Sequence, residues 1–167
     1  MRNLTKEENE KFIDECLKRN GCLYCWPTKG NNYSGKDLPR SKYKDVYDCS
    51  GLVTASLFSA VGIDVRGTFN AQKLADEADL VNLKEVKRGD LVFYGADSSN
   101  ISHVMVYMGA EGKNGPVYGS SGGNSKTVSP EVAMRMDARV KTHNTINYRP
   151  DFVCCGRMRI DNAKVRG

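Results

Sequence analysis

No apolar run in this 167-residue chain approaches the ~18 residues that a membrane-spanning helix needs. The longest mostly apolar stretches, Leu91–Tyr94 and Val104–Met108, are strand-sized, so no stable membrane insertion is expected. The first residues, Met1-Arg2-Asn3-Leu4-Thr5-Lys6-Glu7-Glu8, start positively but contain no apolar core segment. A signal peptide is therefore not expected, and synthesis in a cytoplasm is. No internal repeat is present, which excludes repeat architectures. The 25 Lys and Arg against 20 Asp and Glu leave a net charge of +5. Both signs are spread along the chain, with no basic cluster of the kind that binds nucleic acid, so no nucleic-acid partner is expected. The mild excess suits an ordinary solvated surface or attraction to an anionic surface such as cell wall. Histidine is scarce, with only His103 and His143.

What is present describes one globular domain over 1–167, given roughly 100–200 residues per domain. Apolar residues make up 40% and charged residues 27%, a balance that excludes disorder as the main state. The six cysteines are Cys16, Cys22, Cys25, Cys49, Cys154 and Cys155. Cys22 and Cys25 form a CxxC, but a four-thiolate zinc site needs a second hook. Cys154 and Cys155 are adjacent, and neighbours on a strand point to opposite faces. The cysteines are read as buried reduced thiols, and neither a metal nor another cofactor is expected.

The periodicity predicts a first helix over Thr5–Lys18. Thr5 and Glu8 make a capping box, and Asn20-Gly21 supplies the stop. Pro27 to Tyr47 reads as a long loop. A second helix starts at Asp48 or Cys49, with Cys49, Leu52, Val53, Ser56, Leu57 and Ala60 on one face, and ends at Gly62. A shorter helix follows around Asn70–Ala78. The remainder reads as strands over Asp90–Tyr94, Ser102–Met108, Val117–Ser120, Arg139–Thr142 and Phe152–Arg159. Helices first, then hairpin-connected strands, is the order of an α+β domain.

Chemistry concentrates at two places. Cys49 stands at the first turn of a buried helix, where unpaired N–H groups and the positive helix end favour a thiolate. A thiol of pKa ~8.5 is only about 3% ionised at pH 7, so such activation matters. Asp48 can cap the same helix. His103 stands at the start of a buried strand, sharing a face with Met105 and Tyr107, where it can serve as the base for a cysteine. Taken alone, each of Cys49 and His103 fits a structural role better than a catalytic one.

Four ordered segments reverse that balance. Gly21-Cys22-Leu23-Tyr24-Cys25-Trp26 resembles the G-x-P-Y-x-W segment of the NlpC-type cysteine peptidases. Tyr47-Asp48-Cys49-Ser50-Gly51-Leu52-Val53 is similar to that family's [FY]-D-C-S-G-L-V nucleophile motif. Lys87 to Tyr94 resembles its G-D-L-V-F-F strand, and Ser102 to Gly109 its H-V-G-I-Y-x-G base strand. The agreement spans roughly 12–125, and Asn147 to Phe152 resembles the tail of phage and prophage members. The resemblance implies a papain-like α+β fold with N-terminal helices packed on a small antiparallel sheet. It implies catalytic Cys49 and His103, with Tyr24, Asp48 and Ser50 on the oxyanion or substrate side. It further implies a thiol peptidase of peptidoglycan turnover cleaving stem-peptide amide bonds, most often that between γ-D-glutamate and the following diamino acid. The setting it suggests is an endolysin that acts on the wall, virion-associated or released with a holin-dependent partner.

Two departures stand out. The family usually carries a third polar residue, often histidine, on the strand after the base. Tyr118 occupies that place here and is the candidate third member, with His143 next. Leu23 and Pro27-Thr28 replace the family's proline and glycines on the substrate side. Ser120 to Ser125 reads as a flexible cleft wall. Three alternatives stay open: a related cysteine amidohydrolase or acyltransferase, a non-catalytic wall-binding or virion structural module, and a zinc protein using Cys22 and Cys25.

Overall fold

The computed structural model describes residues 1–26, 29–32 and 45–164. The chain begins with β1 (Arg2–Asn3), α1 (Lys6–Lys18), β2 (Lys29–Asn32), β3 (Asp45–Tyr47), α2 (Cys49–Val61) and α3 (Ala71–Glu77). It continues with β4 (Asp79–Val81), β5 (Leu91–Gly95), β6 (Ile101–Tyr107), β7 (Val117–Ser121), α4 (Pro130–Met136) and β8 (Arg139–His143). A 3-10 turn (Ile146–Tyr148) leads into β9 (Phe152–Arg157) and β10 (Arg159–Ile160), and a second 3-10 turn (Asn162–Lys164) follows. This is the α+β arrangement the element order predicts.

Local chemistry explains the helix limits. The Thr5 side chain accepts from the Glu8 N–H and Glu8 reaches back to the Thr5 N–H, closing the capping box at the start of α1. Glu8 also holds Arg2 at 2.6 Å. Asp48 caps α2. That helix ends at Gly62, whose φ of +78° lies in the left-handed region that a side chain disfavours. The sequence pattern placed one apolar face on α2. Instead every residue from Cys49 to Leu57 is buried, because α1 packs on one side and β6 and β7 on the other.

Six strands form one antiparallel sheet in the order β4-β9-β5-β6-β7-β8. Alternation divides its two faces. Leu91, Phe93, Val104, Val106, Tyr118 and Val140 pack under the helices with Phe12, Leu52 and Val53. Val92, Tyr94, Met105, Tyr107, Val117 and Cys155 form a second cluster with Val86 and Ile146. Cys154 packs toward the helical layer and Cys155 toward the second cluster, so the adjacent thiols point apart.

Other parts also differ from the sequence reading. Within the expected loop Pro27–Tyr47, β2 pairs antiparallel with β3, Lys29 opposite Tyr47 and Asn32 opposite Asp45. The rest of that loop, with Pro27 and Thr28, lies outside the described residues. The expected wall Ser120–Ser125 is strand at its start, where Ser120 and Ser121 are buried in β7. Finally, α4 appears where no helix was expected, capped by Ser129 with Pro130 in its first turn.

Candidate active site

The segment around Tyr24 and the start of α2 are brought together by backbone pairing. Tyr47 donates its N–H to Leu23 O at 3.0 Å, and Cys25 donates to Tyr47 O at 3.4 Å. Tyr24 in turn donates its N–H to Ala138 O, and Leu23 bridges to Arg139. These bonds set Tyr24 beside the turn that carries Asp48 and Cys49.

Cys49 occupies the first helical position of α2, with Asp48 as an extended N-cap. Asp48 Oδ1 accepts from the Gly51 N–H at 2.6 Å and from the Ser50 hydroxyl at 3.5 Å. The carboxylate therefore satisfies the Gly51 N–H, one of the donors that a helix end leaves without an intrahelical partner.

A cleft of about 620 Å³ opens at this helix end. Tyr24, Asp48, Cys49, Ser50 and His103 all line it, so the structure brings together five of the six site residues expected from the sequence. Gly123, Asn124 and Ser125 close one side, and Gly67 to Ala71 the other. A Cβ on Gly123 would overlap the Tyr24 ring, so glycine is what lets this wall approach the tyrosine. Burial pushes the Tyr24 hydroxyl well above its ordinary range, with Cys49 and Asp48 adding to the rise. Tyr24 is thus a protonated donor at the cleft.

His103 lies opposite Tyr94 across β5 and β6, with the two rings 5.6 Å apart. Its Nε2 meets the Tyr148 hydroxyl at 2.8 Å. Burial lowers its pKa to about 3, Arg149 and His143 push the same way, and Asp151 opposes them. A ring in this setting rests neutral and can accept a proton.

Tyr118, the sixth expected residue, does not join the site. It pairs with Val106 on β6 and shares that residue's face, whereas His103 faces the other way with Tyr94. The Tyr118 hydroxyl donates to Cys16 O at 3.1 Å beneath the helices. The expectation that it orients His103 is overturned by this one-residue parity.

The hydroxyl that meets the His103 ring belongs instead to Tyr148, from the turn after β8. Its ring stacks on His143 at 3.8 Å with a 9° interplanar angle, and His143 Nε2 meets the Ser121 hydroxyl at 2.8 Å. Arg149 lines the cleft next to it, held by Asp151 through contacts of 2.6 and 2.7 Å. In the sequence, Tyr148 and Arg149 stand out only as part of the Asn147–Phe152 tail.

Comparison with known proteins agrees with the fold and the motifs. The peptidoglycan endopeptidase RipB of Mycobacterium tuberculosis is 38% identical over 126 residues, covering 72% of this chain and 47% of RipB. RipA of the same organism is 27% identical over 106 residues, covering 62% of this chain and 21% of RipA. The chain thus spans about half of RipB and a fifth of RipA. The solved structure of the P60 domain of a Mycobacterium avium subspecies paratuberculosis antigen superposes with a TM-score of 0.62 at 18% identity, covering 92% and 95% of the two chains. RipD of M. tuberculosis, described as a non-catalytic NlpC/p60 domain protein adapted to peptidoglycan binding, gives 0.59 at 17% identity and 93% and 99% coverage. At these identities the likeness establishes the fold alone. The sequence match is broader: residues 24–136, more than half of the chain, match the NlpC/P60 family, and the chain belongs to that family.

Proposed function

We propose that this chain hydrolyses amide bonds in the stem peptides of peptidoglycan, with Cys49 as nucleophile and His103 as base. One observation carries the reading. Cys49 at the N-terminus of α2 and His103 on β6 line the same cleft, with protonated Tyr24 beside them.

In this mechanism the neutral imidazole of His103 takes the Cys49 proton as sulfur attacks the carbonyl carbon. The oxyanion that forms is held by the Cys49 N–H and the Tyr24 hydroxyl. The imidazolium then gives its proton to the leaving amine, and the thioester remains. Water adds to the thioester, His103 again serving as base, and thiol and carboxylic acid are released.

The bond assigned is that between γ-D-glutamate and the following diamino acid. Support comes from the family membership and from the naming of RipA and RipB as peptidoglycan endopeptidases. A wall-binding role without catalysis, as described for RipD, is the second reading, and the lining of one cleft by Cys49 and His103 favours catalysis over it. Digestion of purified peptidoglycan followed by mass spectrometry of the released fragments tests the proposal. New diamino-acid amino termini are expected, and their absence with active, folded protein would overturn it.

A further inference from the structure

We propose that Tyr148 is the positioning residue for His103, holding Nε2 so that Nδ1 is the nitrogen offered to Cys49. The inference rests on the Cys49–His103 reading above and adds the third member that the strand after the base does not provide.

The geometry singles out Tyr148. Its hydroxyl lies 2.8 Å from His103 Nε2, while Tyr118 is committed to Cys16 O and His143 Nε2 to Ser121. Tyr148 is itself fixed from several sides. His143 stacks on one face of its ring, and Tyr94 meets it edge-on at 5.4 Å and 69°. The turn that carries it is pinned by the Tyr94 hydroxyl donating to Ile146 O at 2.7 Å, and by the Ile146 N–H donating to Asn114 Oδ1 at 2.8 Å.

Hydrogen accounting fixes the direction of the bond. A ring that is to accept the thiol proton at Nδ1 must carry its own hydrogen at Nε2. Nε2–H therefore donates to the Tyr148 oxygen. Burial raises the Tyr148 hydroxyl to about 12, so this oxygen is neutral at working pH. It orients the imidazole without the charge stabilisation that a carboxylate would add. Ser121 and His143 act one step further out, as the support that keeps the Tyr148 ring in plane.

Two measurements that use no peptidoglycan test this. Nitrogen-15 NMR of the unmodified protein reads the His103 tautomer, and hydrogen on Nε2 is expected. Alkylation of Cys49 by iodoacetamide at neutral pH should slow about three- to tenfold in Tyr148→Phe, which keeps the ring and its stack. Tyr118→Phe should leave that rate unchanged. Hydrogen on Nδ1 in the unmodified protein, or equal alkylation rates in Tyr148→Phe and the parent, would overturn the proposal. If both measurements come out as expected while peptidoglycan stays uncut, the fault lies in the proposed substrate and not in the assignment of Tyr148.

Discussion

The Ser120 hydroxyl on β7 donates to the carbonyl of Tyr47 at 2.6 Å, tying the sheet to the residue two places before Cys49. Ser120 is completely buried. The same carbonyl also accepts the Cys25 N–H, so one oxygen links the sheet, the Tyr24 segment and the nucleophile's turn. The position of Cys49 therefore depends on a strand some seventy residues later in the chain.

Ser120→Ala removes that tie and takes its shorter bond away from the Tyr47 carbonyl, which keeps the longer one from Cys25. A loss of about 1–3 kcal/mol is expected for an under-satisfied buried acceptor. For a chain of this size each kcal/mol lowers the melting temperature by about 2–4 °C. Turnover should fall as well, because the start of α2 loosens. Unchanged melting and unchanged turnover together would mean that the bond does not position the site.

Cys49→Ala should abolish hydrolysis and keep the fold, since alanine suits the first turn of a helix. His103→Ala should cost the ~10²–10⁴-fold typical of a lost general base. Fragment release from peptidoglycan measures both, and full activity in the Cys49 variant would remove the mechanism altogether.

Tyr118→Phe tests the corrected placement. It deletes the bond to Cys16 O beneath α1, so a loss of about 1 kcal/mol in stability is expected with turnover intact. Tyr118→His should destabilise further, because it sets a polar ring among Val106, Val140 and Phe12. Denaturant melts beside activity assays separate the two effects, and a drop in turnover at full stability would return Tyr118 to the catalytic set.

The pH dependence of stability follows from His103. Its folded pKa lies near 3 against an ordinary 6.5, with burial the main cause. Between these values the unfolded chain binds a proton that the folded protein refuses. Stability is therefore whole above pH 6.5 and declines as the pH falls through the window toward 3. His143, lowered by burial and by Lys141, acts with the same sign. Glu8, lowered to about 2 mainly by Arg2, loses its contribution only below its ordinary 4.5. Melting temperatures from about pH 7 down to about pH 5 thus isolate the histidines. His103→Gln should flatten most of that slope, and retention of the parent slope would show that the ring is not buried neutral.

The elements legible in the sequence are those with local signals. Thr5 and Glu8 announce the start of α1, Gly62 the end of α2, and the alternation of Leu91 to Tyr94 and Val104 to Tyr107 the central strands. What escaped has weak or distant determinants. In α4 only Pro130 and Ala133 are buried, too few to form a stripe, although Ser129-Pro130 was a start signal. On β4, Leu80 is 79% exposed, which defeats alternation. Cys49 and His103 were legible because motifs flank them. Tyr148 was not, because its partner is 45 residues away and only the turn after β8 joins them. Tyr118 was misplaced through face parity. Its pairing with Val106, rather than any property of the residue itself, decides which way it points.

The Tyr24–Gly123 contact gives the most specific test of the oxyanion side. Tyr24 is 5% exposed and its ring lies where a Gly123 Cβ would stand. Gly123→Ala must therefore push either the ring or the 123–125 wall, and the hydroxyl moves with the ring. If that hydroxyl holds the oxyanion, Tyr24→Phe should lower kcat toward the ~10²-fold loss seen when such a donor is removed. Gly123→Ala should then lower kcat by a smaller factor, through displacement and not deletion. Combining the two distinguishes mechanism from general disruption of the cleft. With the hydroxyl already gone, moving the ring costs little more, so the double variant should resemble Tyr24→Phe alone. Residues in contact that act through one group are expected to be non-additive in this way. Fully additive losses would mean that Gly123→Ala damages the cleft by another route, and an unchanged kcat in Tyr24→Phe would leave the helix-end amides of α2 as the oxyanion donors.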